Sequence, residues 1–169
     1  MKPRVFISYS HVDSELVECL ERRLKRNKVD VFLDKKSINW GQAITEEVRN
    51  ALAECVAVIV VVSPASLQSQ WVPYEIGHAM GANAMGDNKK ILPLFTHPSL
   101  TVPQYLVDLR HIYTLDEVVQ YFKSDAWRVH CEDIQIQRKT DLRVLRKTGE
   151  DLTRWLRLYM PGGSEPEDL

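Results

Sequence analysis

The chain has 169 residues, 44% hydrophobic and 27% charged, which is the profile of one packed domain and not of a disordered segment. Its 22 Lys and Arg against 23 Asp and Glu leave a formal net charge of -1, so no global basic field draws it to nucleic acid or to an anionic membrane; either partner would need a local patch. The longest apolar run, Val56 to Val62, is seven residues where a spanning helix needs about 20, and Met1-Lys2-Pro3-Arg4 leads straight into a strand pattern, so no membrane segment and no cleavable signal are expected.

In chain order, Val5-Phe6-Ile7-Ser8-Tyr9 is a β-branched and aromatic run and reads as strand one. Asp13 or Ser14 can cap the next helix, in which Val17, Leu20 and Leu24 recur at helical spacing. Lys28 to Leu33 reads as strand two, and the polar stretch Asp34 to Gln42, with Gly41, reads as a loop. Thr45 is the expected cap of a helix whose apolar stripe is Ile44, Val48, Ala51, Leu52 and Cys55. Val56 to Val62, apolar throughout, is expected to be a central parallel strand buried on both faces. Ser63 to Gln70 reads as a loop, followed by a helix from about Val72 to Met80 with Pro73 in its first turn. On that helix Gly77 and Gly81 suggest close packing. Ile91 to Phe95 is strand four, His111 to Leu115 a short fifth strand, and Asp116 to Phe122 a helix. The charged region 123–147 fits an irregular insertion or an extra surface helix, and the last helix is expected at Glu150 to Tyr159, with Leu152, Trp155, Leu156 and Tyr159 on one face. Residues 1–160 are expected to form one domain, with a frayed acidic tail at 161–169.

Cys19, Cys55 and Cys131 are odd in number, widely spaced and free of any CxxC. They are expected to be reduced thiols of a cytoplasmic protein, Cys19 and Cys55 within the core. Cys and His show no metal-ligand spacing, so no metal is expected.

Strands alternating with helices imply an α/β fold, a parallel sheet with helices on both faces. Ligands of such sheets bind outside the carboxyl ends of the strands. Those ends are Ser8-Tyr9-Ser10-His11, Asp34 with its loop, and Ser63 to Gln70, where polar and aromatic residues gather.

Four segments carry a resemblance. Phe6-Ile7-Ser8-Tyr9-Ser10-His11-Val12-Asp13 resembles the first box of the Toll/interleukin-receptor (TIR) domain, and Val31-Phe32-Leu33-Asp34 with Gly41 resembles its second strand and BB loop. Val60-Val61-Val62-Ser63-Pro64-Ala65-Ser66 resembles the third strand and its exit, and Ser69-Gln70-Trp71-Val72-Pro73-Tyr74-Glu75 resembles the Trp-x-x-x-Glu motif of enzymatic TIR domains. The likeness runs from about residue 4 to 115. It implies a flavodoxin-like sheet of five parallel strands, and either cleavage of NAD+ or non-catalytic adaptor assembly. The chain departs from the pattern at Trp40, where the family often has Pro, at Ser10 and His11, where some members are basic, and at Val72, where Cys is frequent.

Among the TIR enzymes it resembles stand-alone prokaryotic ones, such as those of Thoeris-type antiphage defence. The resemblance implies catalysis by Glu75, with Ser8, Tyr9, Ser10, Asp34, Trp40, Gly41, Ser66 and Trp71 as substrate-binding candidates. NAD+ is then a substrate and no cofactor is expected. The products would be nicotinamide and linear or cyclic ADP-ribose. One carboxylate suffices chemically, because the departing nicotinamide is already cationic and needs no general acid. What remains is to stabilise an oxocarbenium-like ribose. Trp71, four residues before Glu75, shares a helix face with it and could stack on a ring of the substrate. Simpler readings exist for each residue. Glu75 in a first helical turn gains from the dipole alone, Trp71 could anchor the core, and Tyr9 and Ser8 could just finish a strand. Asp34 could hold its loop by an Asx-type bond, and Trp40 could be a protein contact. The family also implies self-association through the 34–42 loop.

Overall fold

Six consecutive buried residues, Ala57–Val62, form strand β3 at the middle of the sheet. The protein is described by a computed structural model covering residues 4–33, 46–68, 77, 79 and 88–159, with the backbone alone at 46–49 and 153–159. Two units divide the chain, Met1–Cys131 and Glu132–Leu169. In the first, β1 is Arg4–Ser8, β2 Asp30–Leu33 and β4 Lys90–Phe95. All pairings are parallel, in the order β2-β1-β3-β4. β3, paired on both sides, accounts for the unbroken apolar run in the sequence. The chain runs from β1 outward to β2 and then back past β1 to β3. With right-handed crossovers, this reversal sets α1 (Ser14–Arg26) and α2 (Glu46–Glu54) on opposite faces. Val17, Leu20 and Leu24 of α1 are buried at the predicted spacing. Phe6, Val58, Val60, Phe95, Leu52 and Cys55 belong to one core cluster, and Phe32 stacks on Phe6 at 5.7 Å. Burial pushes the Cys55 thiol up to about 12, so it is inert at neutral pH. Cys19 is only partly buried, short of the core position expected for it.

Several expectations are corrected. The fifth strand, expected at His111 to Leu115, is a single bridge of Ile112 to Leu94, leaving four strands among the described residues. Ile112 donates its N–H to the Pro93 carbonyl at 2.9 Å and accepts from Phe95 N at 2.8 Å. The ladder cannot extend backward, because Pro93 has no N–H to donate on that side. It cannot extend forward, because the Thr114 N–H is taken by the Glu117 carboxylate at 3.0 Å. Thr114 instead caps helix α4 (Leu115–Lys123) in a reciprocal box with Glu117. Strand β2 starts at Asp30, not Lys28, because the end of α1 claims the intervening residues. Lys28 sits at φ 63, with Lys28 N on the Lys25 carbonyl at 3.0 Å and Val29 N on that of Leu24 at 3.1 Å. This is a Schellman ending with lysine where glycine is usual.

Of the two readings of region 123–147, the surface helix holds and the irregular insertion does not, though the helix is not a separate element. A single helix, α5, runs from Asp125 to Tyr159 and absorbs the shorter terminal helix expected at Glu150. Ser124 makes the junction: its N–H closes α4 on the Tyr121 carbonyl at 3.0 Å, and its Oγ accepts from Trp127 N at 3.2 Å. Trp127 and His130 are buried. Trp127 packs edge-on to Phe122 at 4.7 Å, and His130 Nε2 donates to the Val56 carbonyl at 3.1 Å. Beyond residue 138 the described side chains of α5 are exposed. Its charged residues are good helix formers and pair along the helix, as Arg146 does with Glu150 at 3.0 Å.

Candidate functional site

The strand order reverses between β1 and β3, and the crevice outside their carboxyl ends is where a doubly wound sheet takes its ligand. β1 ends at Ser8, in register with Val60 of β3. Ser8 is 1% exposed, and its Oγ has no hydrogen-bond partner. Leaving a buried hydroxyl unbonded costs about 1–3 kcal/mol. It is the one buried side-chain polar atom so left among the described residues. Tyr9 and Ser10 follow, both half-buried. The Ser10 carbonyl accepts from Asp13 N at 2.8 Å, which closes a 3-10 turn over His11–Asp13.

Of the two expected caps of α1, Asp13 and Ser14, Asp13 holds the cap position, yet its side chain makes no capping bond. Its carboxylate instead accepts from Ser63 Oγ at 2.6 Å, fifty residues away in sequence. Ser63 is the first residue beyond β3, so this bond clasps the exits of the two central strands. Sequence reasoning missed it. The available signal was topological: Asp13 and Ser63 both follow strands that become neighbours only once the order is known.

The stretch Ser63 to Gln70, expected as loop, contains a short helix, α3 (Pro64–Leu67). Ser63 Oγ accepts from Ser66 N at 3.0 Å, and Ser66 Oγ accepts from Ser63 N at 2.8 Å while donating to the Ser63 carbonyl at 3.1 Å. Pro64 at the first helical position completes the start. Ser66 is 2% exposed, and both its bonding roles are filled inside the chain. Of the binding candidates, then, Ser8, Tyr9 and Ser10 lie together at one strand end, and Ser66 lies at the neighbouring exit as a capping residue.

Asp34, Trp40, Gly41, Trp71 and Glu75 lie outside the described residues, as do the 34–42 loop, Thr45, Gly81 and the 161–169 tail. Of the helix expected from Val72 to Met80, Gly77 and Ala79 are described and both are helical. Ala79 is buried. A Cβ at Gly77 would meet nothing within 4 Å, so Gly77 does not serve the close packing expected of it. Among the described residues no group of His, Cys, Asp and Glu could hold a metal, and no helix is long and apolar enough to cross a membrane.

The sequence pattern of the TIR domain matches residues 5–132. The 2' cyclic ADP-D-ribose synthase BtTIR of Bacteroides thetaiotaomicron is 27% identical over 130 residues, covering 70% of this chain and 44% of the relative. Toll-like receptor 6 of Homo sapiens is 29% identical over 126 residues, covering 73% of this chain and 16% of the receptor. The chain thus spans less than half the length of either relative. The TIR domain of the Toll-related receptor TRR-2 from Hydra magnipapillata superposes with a TM-score of 0.54 at 22% identity, over 78% of this chain and 97% of that one, a likeness of fold. The chain belongs to the TIR-domain family.

Proposed function

Taking that membership as premise, we propose that the chain cleaves NAD+ at the nicotinamide–ribose bond, releasing nicotinamide and linear or cyclic ADP-ribose. The observation that carries the reading is the Trp71-x-x-x-Glu75 spacing in a TIR chain that resembles a named cyclic ADP-ribose synthase. Glu75 would supply the carboxylate that steadies the positive charge developing on the ribose as nicotinamide leaves. Trp71 would wall the pocket and stack on a ring of the substrate. Ser8, Tyr9 and Ser10 would contribute from the end of β1, with Asp34, Trp40 and Gly41 from the neighbouring loop. The clasp of Asp13 on Ser63 and the capped α3 would fix the β3 exit from which the chain runs on toward Trp71. Self-association through the 34–42 loop, with Trp40 prominent, would complete the active state, in the cytoplasm and in a signalling or antiphage role. The likeness to Toll-like receptor 6 supports a second reading, a TIR adaptor that assembles without turnover.

The test is incubation of concentrated protein with NAD+ and identification of products by mass spectrometry, beside Glu75→Gln. Loss of one preorganised electrostatic partner is expected to lower the rate about 100- to 1000-fold. A wild-type chain that self-associates yet never consumes NAD+ favours the adaptor. Turnover unchanged in Glu75→Gln removes Glu75 from the chemistry.

A further inference from the structure

Helix α5 changes character along its length. Trp127, His130 and Ile134, spaced on one face, are buried, whereas Leu142, Leu145 and Leu152 are 67%, 67% and 57% exposed. The helix continues to Tyr159, and the sequence repeats apolar or small residues at Leu142, Leu145, Gly149, Leu152, Leu156 and Tyr159. The intervals alternate three, four, three, four, three. That is the 3.5-residue period of a two-stranded coil; a straight helix drifts away from such a seam by about 20° per heptad. Leu142, Gly149 and Leu156 then take the first core position of the heptad, and Leu145, Leu152 and Tyr159 the second.

Charge beside the seam selects the occupant. Asp141 falls just before the first core position and Arg146 just after the second. In a parallel pair, the residue before one heptad faces the residue after the second core position of that heptad on the other helix. Asp141 of each copy therefore meets Arg146 of the other, and symmetry makes the contact twice. An antiparallel pair over the same stripe lines like flanking positions against each other, which puts Arg146 opposite Thr153 and forgoes the contact of Asp141 with Arg146. Arg146 rests on Glu150 of its own helix in a pair that is 83% and 66% exposed, a contact that exchanges readily for an interhelical one. We propose that the stripe from Leu142 to Tyr159 is the seam of a parallel two-stranded coiled coil with a second copy of this chain. With glycine in one core layer and fewer than three heptads, the dimer is weak and concentration-dependent.

Sedimentation equilibrium of the full chain tests this. A monomer–dimer equilibrium is expected, weakened roughly a hundredfold or more by Leu145→Lys with Leu152→Lys, which buries ammonium groups in the seam. Gly149→Leu fills the small layer, where an added Cβ meets nothing within 4 Å, and is expected to tighten association about tenfold or more. Ile136→Lys, exposed and off the seam, leaves it unchanged. Asp141→Arg weakens the dimer, and adding Arg146→Asp restores it. Under mild oxidation Leu145→Cys joins two copies through that position, found by peptide mapping, because a parallel seam sets residue 145 against itself. Circular dichroism checks that each variant keeps its helix; should the Lys variant lose it, the charge reversal and the cross-link decide. A chain that stays monomeric at every concentration overturns the proposal, as does a Lys variant that remains helical and associates like wild type. A dimer with neither charge rescue nor cross-link at 145 overturns the parallel seam.

Discussion

Removing the carboxylate of Asp13 asks how firmly the two central strand ends are tied. The bond from Ser63 Oγ is 2.6 Å long, and Ser63 is 1% exposed. Hydrogen bonds to a charged group contribute about 1.5–3 kcal/mol net. Asp13 is half-exposed, so water can take part of its place, and Asp13→Ala is expected to cost about 1–2 kcal/mol. For a chain of this size that lowers Tm by about 2–8 °C. Ser63→Ala removes the same bond and also the cap on Ser66 N, which adds about 1 kcal/mol. Once the hydroxyl is gone the carboxylate has nothing to hold, so the double variant should be no less stable than Ser63→Ala. Thermal unfolding of all four proteins by circular dichroism gives the coupling, expected at about 1–2 kcal/mol. Additivity within about 0.3–0.5 kcal/mol would mean that the two residues act independently and that the clasp is not a stabilising contact.

Two further outcomes follow from helix ends. Lys28→Gly relieves a left-handed residue at φ 63 and is expected to stabilise the fold by about 0.5–1 kcal/mol, read as a higher Tm; a lower Tm would show that the lysine side chain, not its backbone, matters there. The Glu117 carboxyl lies below its ordinary range because the Tyr113 N–H, then the Thr114 hydroxyl and N–H, bond to it. A depressed carboxyl contributes stability above its unfolded pKa and loses it as pH falls through the folded value. The Tm gap between wild type and Glu117→Gln should therefore be open at neutral pH and close in acid, and a gap independent of pH would refute the charged cap.

What could be read in the sequence was whatever one residue's chemistry or a short period reveals. Ala57 to Val62 is apolar on both faces because it pairs on both sides, and that run announces itself. Val17, Leu20 and Leu24 mark the buried side of α1 by spacing alone. Thr114 and Glu117 were legible in principle as a capping box, but the strand pattern of Ile112 and Tyr113 outweighed them. The missing donor of Pro93 then truncated the ladder from the other side. α5 was read only as one of two alternatives, for a different reason. Arg138, Lys139, Arg143 and Lys147 look like solvated coil when read for polarity, and like a good helix only when read for propensity. Of the candidate site, the strand end Ser8-Tyr9-Ser10 was legible from composition. The clasp of Asp13 on Ser63 was not, since no local pattern links residues fifty apart.

The amino-terminal edge of the sheet is tied by side chains. Arg4 reaches Asp30 at 3.0 Å and Glu54 at 2.8 Å, and the Val56 carbonyl receives His130. At the carboxyl edge Ser8 keeps a buried hydroxyl with no partner. A scaffold selected for stability alone would place alanine there, because Ser8→Ala deletes the unbonded oxygen and leaves the β1–β3 ladder intact. The variant is expected to match wild type or to exceed it by up to about 1 kcal/mol. If the hydroxyl is held for a ligand at the switch point, the same change should weaken NAD+ binding by about 2- to 10-fold, the worth of one neutral hydrogen bond. Thermal unfolding and NAD+ titration on one preparation separate the possibilities. Stability gained with affinity lost marks Ser8 as a residue whose cost is borne for binding. Stability gained with affinity unchanged makes the orphan oxygen a tolerated defect. A loss above about 1 kcal/mol would show that the hydroxyl is bonded in the folded protein after all.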